Sequence, residues 1–304
     1  MKANISLLGS LAVAGLALVG CQKPAEKTAA TTGSTAASTT VTTSTETSSS
    51  MAGKTIRIAT EGTYKPFSIT KADGSLTGFD VDFMQALCAQ MKANCEINPQ
   101  DWDGLLPGLM AKKYDVVIDA MSITPERQAQ VDFTDPYFTN TLVFLTKQGS
   151  PINPDDPAQI DSHTVAAQRS TLSTQWMEKN HPKAKLNLYE GLDNAFMDLA
   201  AGRSDMMISD KAPAAYWLTT PEGKGFEIKG KEIDVNDKMG IIVRKGDPLR
   251  LEFNKAIATL KSNGTYDKIY NQYFGNATTT TAAASSVAVT VSSTTTTTVA
   301  STSK

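Results

Sequence analysis

Arg127 follows Thr124-Pro125-Glu126, a run that starts a helix with threonine as cap and proline in the first turn. A guanidinium placed there can grip a carboxylate through two parallel hydrogen bonds, or it can simply be solvated at the helix start. Ser170 and Thr171 open a helix after Val165-Ala166-Ala167, so their hydroxyls and free N–H groups either receive a carboxylate as well or form a plain cap. Three acids, Glu61, Asp119 and Asp210, stand at or just past strand ends, where each could in principle be a general acid. The nucleophile patterns that accompany such acids are missing: the chain has no Gly-x-Ser-x-Gly, and its two histidines, His163 and His181, fall in loops. Two histidines and few thiols give no metal-ligand spacing, so neither a metal nor a cofactor is expected.

The elements that must position these groups alternate in type. Thr55 to Ala59 is β-rich, and Asp80 can cap a helix with Val81, Met84, Leu87, Cys88 and Met91 at helical spacing. A helix over 105–112 precedes a buried strand, Asp115 to Ile118, and a helix over 193–201 precedes another, Asp205 to Ile208. A strand at 240–244 leads to a helix ending at Gly264 and a last helix from Thr265 into Tyr273-Phe274-Gly275. This alternation is the signature of an α/β architecture with largely parallel sheets, and no fixed repeat period interrupts it.

The ends of the 304-residue chain do not look foldable. Residues 22–51 hold 21 Ala, Ser and Thr among 30, and residues 277–304 hold 23 among 28. Such stretches lack the apolar side chains that offset chain entropy, so a disordered tether over 21–51 and a disordered tail over 277–304 are expected. The remaining core has 25 basic and 29 acidic residues, a net of −4 that offers no general attraction to phosphate backbones, so nucleic acid is not an expected partner. Residues 1–20 pair Lys2 with an apolar run too polar for a membrane span, which reads as an export signal. Leu18-Val19-Gly20-Cys21 resembles the bacterial lipobox, which implies cleavage before Cys21, acylation there and a membrane-anchored lipoprotein outside the cytoplasm. With Cys21 assigned to lipid, Cys88 and Cys95 are left as an even pair, a disulfide or else two buried free thiols.

Six stretches carry a wider likeness: 61–67 (EGTYKPF), 78–82 (GFDVD), 102–107 (WDGLLP), 121–127 (MSITPER), 132–137 (DFTDPY) and 263–268 (NGTYDK). In this order the chain resembles the periplasmic solute-binding proteins of polar amino acid ABC importers over residues 54–275, above all the lysine/arginine/ornithine/histidine binders. The resemblance implies a type II periplasmic binding protein fold, two α/β lobes joined by two crossing strands near 140–143 and 235–239 and closing like a hinge. Lobe 1 would comprise residues 52–140 and 239–276, and lobe 2 residues 141–238. It also implies that Arg127, with Ser170 and Thr171, takes the ligand carboxylate, and that Asp210, helped by Ser122 and the backbone near Ala120, takes the α-ammonium. Tyr64 and Trp102 would sandwich the side-chain stem, and Cys88 with Cys95 would form the small disulfide loop of the basic amino acid binders. Arg169 stands where relatives often have Gly, so its side chain either points outward or alters the pocket mouth.

Glu61 and Asp119 are then surplus acids beside the side-chain pocket and favour a cationic end. The expected ligand is a basic L-amino acid, captured by a monomeric protein and passed to an ABC permease. If Lys65 instead neutralises one acid, glutamine, histidine or cystine fits better. A periplasmic dehydratase of the same fold is the enzymatic alternative, and an adhesin or signalling lipoprotein the third.

Overall fold

A computed structural model describes residues 51–275. The export signal, Cys21, the tail and all of the tether but Met51 lie outside the described residues.

The strands are β1 (Thr55–Thr60), β2 (Ile69–Thr70), β3 (Leu76–Thr77), β4 (Asn94–Pro99), β5 (Val116–Val117), β6 (Val131–Phe133), β7 (Phe138–Lys147), β8 (Thr164–Gln168), β9 (Lys185–Tyr189), β10 (Met206–Asp210), β11 (Phe226–Met239) and β12 (Ile242–Arg244). The helices are α1 (Phe79–Met91), α2 (Leu105–Met110), α3 (Pro125–Gln130), α4 (Pro157–Ser162), α5 (Leu172–Asn180), α6 (Leu192–Ala200), α7 (Lys211–Trp217), α8 (Leu249–Ser262) and α9 (Thr265–Phe274). One five-stranded sheet has the order β4-β1-β5-β12-β6 and the other β11-β7-β10-β8-β9, with β2 and β3 forming a small hairpin. Each sheet is covered on both faces. Ala59, Val117 and Ile242 pack with Leu105 on one side of the first sheet, while their neighbours Ile58, Val116 and Val243 pack with Leu87 and Phe253 on the other. Phe144, Ile208 and Val165 likewise pack with Met177 on one side of the second sheet, and the alternate residues Val143, Leu145 and Met207 turn the opposite way. That two-residue period with both sides buried is why these strands read as continuous apolar runs.

The expectation of largely parallel sheets needs correction. β1 runs parallel to β4 and β5, and β8 to β9 and β10, but β12 is antiparallel to β5 and β6, and β7 is antiparallel to both β10 and β11. The reversal follows from connectivity. The chain leaves the first sheet along β7 and returns along β11 into β12, so returning strands run against the βαβ units they join. Past the end of β10, β7 and β11 still pair, Asn140 opposite Asp237 and Phe138 opposite Met239, so the edge of the second sheet extends as a two-stranded ribbon through which the chain passes to and from the first.

Asp80 is a second correction: it does not cap α1. Gly78 does, at φ 120° and so close to the Phe67 carbonyl that a Cβ would lie 2.3 Å from it. The buried Asp80 carboxylate instead accepts from the Ala120 N–H at 2.6 Å. Thr124 caps α3 and accepts from the Arg127 N–H, as its position suggested. Cys88 and Cys95 are joined in a disulfide that ties the end of α1 to β4.

Candidate functional site

A cleft between the sheets is lined by Tyr64, Trp102, Asp119, Ala120, Ser122, Arg127, Gln168, Thr171, Leu172 and Asp210. Side chains from both sides meet across it. The Tyr64 hydroxyl donates to Asp210, Gln168 Nε2 donates to Glu61 Oε2 at 3.2 Å, and Arg127 Nη2 donates to the Ser170 carbonyl at 2.9 Å. Anything held in the cleft must replace some of these bonds.

The turn after β5 does most of the positioning. Ala120 sits at φ 44°, a left-handed conformation costing a non-glycine residue about 1 kcal/mol, and it is pinned there because its N–H faces both Asp80 and the Tyr137 hydroxyl. That bend lets Asp119 and Ser122, three residues apart, both line the cleft. Asp119 is 1% exposed, and its Oδ1 accepts from Thr60 Oγ1, the Glu61 N–H and Ser68 Oγ at 2.8 to 2.9 Å. Its Oδ2 is buried without a partner. The acid is therefore half committed to the scaffold and half available, where the sequence had suggested a wholly surplus group.

Arg127, 7% exposed, lies over Trp102 with Cζ 5.5 Å from the ring centroid and donates Nη1 to the Ser122 carbonyl at 2.8 Å. Burial draws its pKa down to about 10, so it stays cationic at neutral pH. Its five donors exceed the two carbonyls it serves, and a carboxylate can take others. Thr171 caps α5, accepting from the Thr174 N–H at 3.3 Å and donating to the Gln168 carbonyl at 2.8 Å. Ser170 departs from expectation, because its side chain is exposed while its carbonyl, at φ 62°, meets Arg127.

The acids are strongly perturbed. Burial, reinforced by the Asp237 charge, pushes Asp210 up to about 7 against the bond from Tyr64. Glu61 is pushed up by burial and by Asp119, and Asp119 is itself raised by burial. Neither of the nearby lysines relieves them. Lys65 pairs with Asp193 at 2.8 Å, and Lys211 pairs with Glu232. Among the described residues no group of His, Cys, Asp and Glu is arranged to hold a metal ion, and no helix is long and apolar enough to cross a membrane.

Gln168 escaped the sequence reading. It ends the apolar run of β8, where a lone amide carries no signal, yet it is buried in the cleft with Oε1 unpartnered and Nε2 shared between Glu61 and the Glu190 carbonyl. Arg169 does not line the cleft but sits at its mouth: its partly exposed guanidinium meets Asp103, and its carbonyl accepts from the Trp102 indole at 3.1 Å.

The profile of bacterial extracellular solute-binding proteins, family 3, matches residues 56–276. The L-arginine-binding protein of Pseudomonas aeruginosa is 36% identical over 231 residues, covering 73% of this chain and 89% of that protein. The lysine/arginine/ornithine-binding periplasmic protein of Escherichia coli is 36% identical over 228 residues, covering 73% and 88%. The solved structure of an ancestral arginine-binding protein bound to arginine superposes with a TM-score of 0.69 at 36% identity, covering 74% of this chain and 99% of that one.

Proposed function

The chain belongs to the bacterial extracellular solute-binding proteins of family 3, and from that premise we propose that it captures a basic L-amino acid between its two lobes and delivers it to an ABC importer. Arg127 and the first-turn N–H groups of α5 hold the α-carboxylate. The α-ammonium displaces Tyr64 from Asp210 and also uses Ser122 and the backbone at Ala120. Tyr64 and Trp102 flank the stem, and the distal cation meets Glu61, Asp119 Oδ2 and Gln168 Oε1. The observation that carries this reading is the unpartnered, buried Asp119 oxygen in a cleft whose acids pair with no lysine among the described residues. Unpaired buried carboxyl oxygens are costly, and a ligand cation removes the cost. The relatives named above are binding proteins, and the reading is binding without turnover.

Calorimetry with arginine, lysine, ornithine, histidine, glutamine, citrulline and cystine tests the assignment. Citrulline keeps the shape of arginine without its charge, so equal affinity for the two would overturn the electrostatic argument. A second reading, glutamine or cystine, draws on the upward shift of Glu61, which when protonated would face a neutral side chain.

The lobe boundaries proposed are residues 52–140 with 239–276, and 141–238; the two sheets and the β7–β11 ribbon support them. Anchoring through an acylated Cys21, outside the cytoplasm and as a monomer, completes the proposal. Cys21→Ala should move the protein to the soluble fraction, and a variant still processed normally and held by membranes would refute the anchor.

A further inference from the structure

Arg169 makes contacts that ligand binding does not require. Its guanidinium lies at the rim of the cleft, 44% exposed, with Nε and Nη2 each 2.5 Å from Asp103 Oδ2. Asp103 adjoins Trp102 on the side of the first sheet, whereas Arg169 follows β8 of the second. Nη2 also lies 3.3 Å from Glu190 Oε2, just past β9 of the same second sheet. The cation therefore has one partner across the cleft and one on its own side. If the lobes part, it loses Asp103 and keeps Glu190, so it is never stranded without a counter-ion. Such an arrangement biases an equilibrium without locking it. The bond from the Trp102 indole to the Arg169 carbonyl adds a second point between the same two neighbourhoods and links the rim to a wall of the site.

We propose that Arg169, with Asp103 and Glu190, is an electrostatic latch that sets how long the lobes stay together and hence the residence time of the bound amino acid. The proposal rests on the reading that the lobes close around the ligand. Because the three groups are partly exposed, the latch is weak and screened by salt, worth a factor of about two to five in rate rather than orders of magnitude. It acts on release more than on capture, since the pair forms only once the lobes have met.

The test uses the purified full chain with one dye on each lobe, and stopped-flow release of arginine. R169Q should raise the release rate about two- to fivefold at low salt with the capture rate unchanged, and R169E more, through repulsion from Asp103 and Glu190. Wild type should approach R169Q in 0.5 M NaCl, and the exchange D103R/R169E should recover most of the lost residence time. In ligand-free protein, the dyes should report a smaller closed fraction for R169Q than for wild type, the difference vanishing in high salt. Release rates and closed fractions that are the same in wild type and R169Q would overturn the latch, as would failure of the charge exchange to restore them. If arginine does not bind wild type but the closed fraction still depends on Arg169 and salt, the ligand assignment fails and the latch stands.

Discussion

Protonation of Asp210 gives the sharpest test of the proposed ammonium site. Burial and the neighbouring Asp237 charge raise this carboxyl from its usual 3.8 to about 7. At pH 6 about ten molecules in eleven then carry the proton, and an incoming α-ammonium must expel it. With one such group, affinity should fall as pH drops, by about 25-fold between pH 7.5 and 5.5. The sign for the ligand-free fold is opposite. A carboxyl with a raised folded pKa stabilises below its unfolded value, and that contribution is lost as pH rises from about 4 toward 7, because the unfolded chain releases its proton first. Ligand-free Tm should therefore decline over that window from this group, while the Tm gain on adding arginine grows. Calorimetry at pH 6 in two buffers of different ionisation enthalpy should record about one proton released per arginine from Asp210, and up to about one more from Glu61, which is raised to about 8. Asp210→Asn should bind weakly and lose that proton. An affinity flat from pH 5.5 to 7.5 with no proton released would refute the assignment.

Arg127→Ala should cost about 2 to 5 kcal/mol of binding, since it strands the ligand carboxylate in a desolvated site; calorimetry that finds affinity within threefold of the parent removes it as anchor. Glu61→Gln and Asp119→Asn should each weaken arginine by about 1 to 3 kcal/mol and hardly change citrulline. Because the two acids interact, a double-mutant cycle should show their effects to be non-additive. Replacing Cys88 and Cys95 by serine opens the loop closed by a bond seven residues apart and should lower stability by about 2 to 3 kcal/mol, readable as a lower denaturant midpoint that reductant reproduces in the parent.

What could be read in the sequence was what depends on near neighbours. Thr124 and Pro125 announce their helix because cap and first turn lie within three residues, and the structure keeps them. Arg127 was legible as a donor in that turn but not as one stacked on Trp102, a contact between residues 25 positions apart. Asp80 looked like a cap because caps are the common use of such an acid; its partner, the Ala120 N–H, is 40 residues on. The free half of Asp119 is equally a matter of distant donors, since Thr60 and Ser68 occupy its other oxygen. Sheet direction failed for the same reason: local periodicity identifies a strand, whereas its sense depends on where the chain crosses.

The β7–β11 ribbon has a consequence for the order in which a ligand is recognised. Asp210 pairs in register with Leu142 of one ribbon strand, and Ser122 is bridged to Met239 of the other. On the proposed reading, the groups that hold the α-ammonium are thus attached to the pivot itself, where a swing of the lobes displaces atoms least. Every amino acid presents the same α-ammonium, and that group can be engaged while the mouth is still open. Gln168 and Glu61 come from opposite sheets, so the part of the site that inspects the side chain is assembled only as the swing completes. Admission would then be indiscriminate and retention selective: a wrong amino acid enters as fast as the right one and is rejected by leaving sooner.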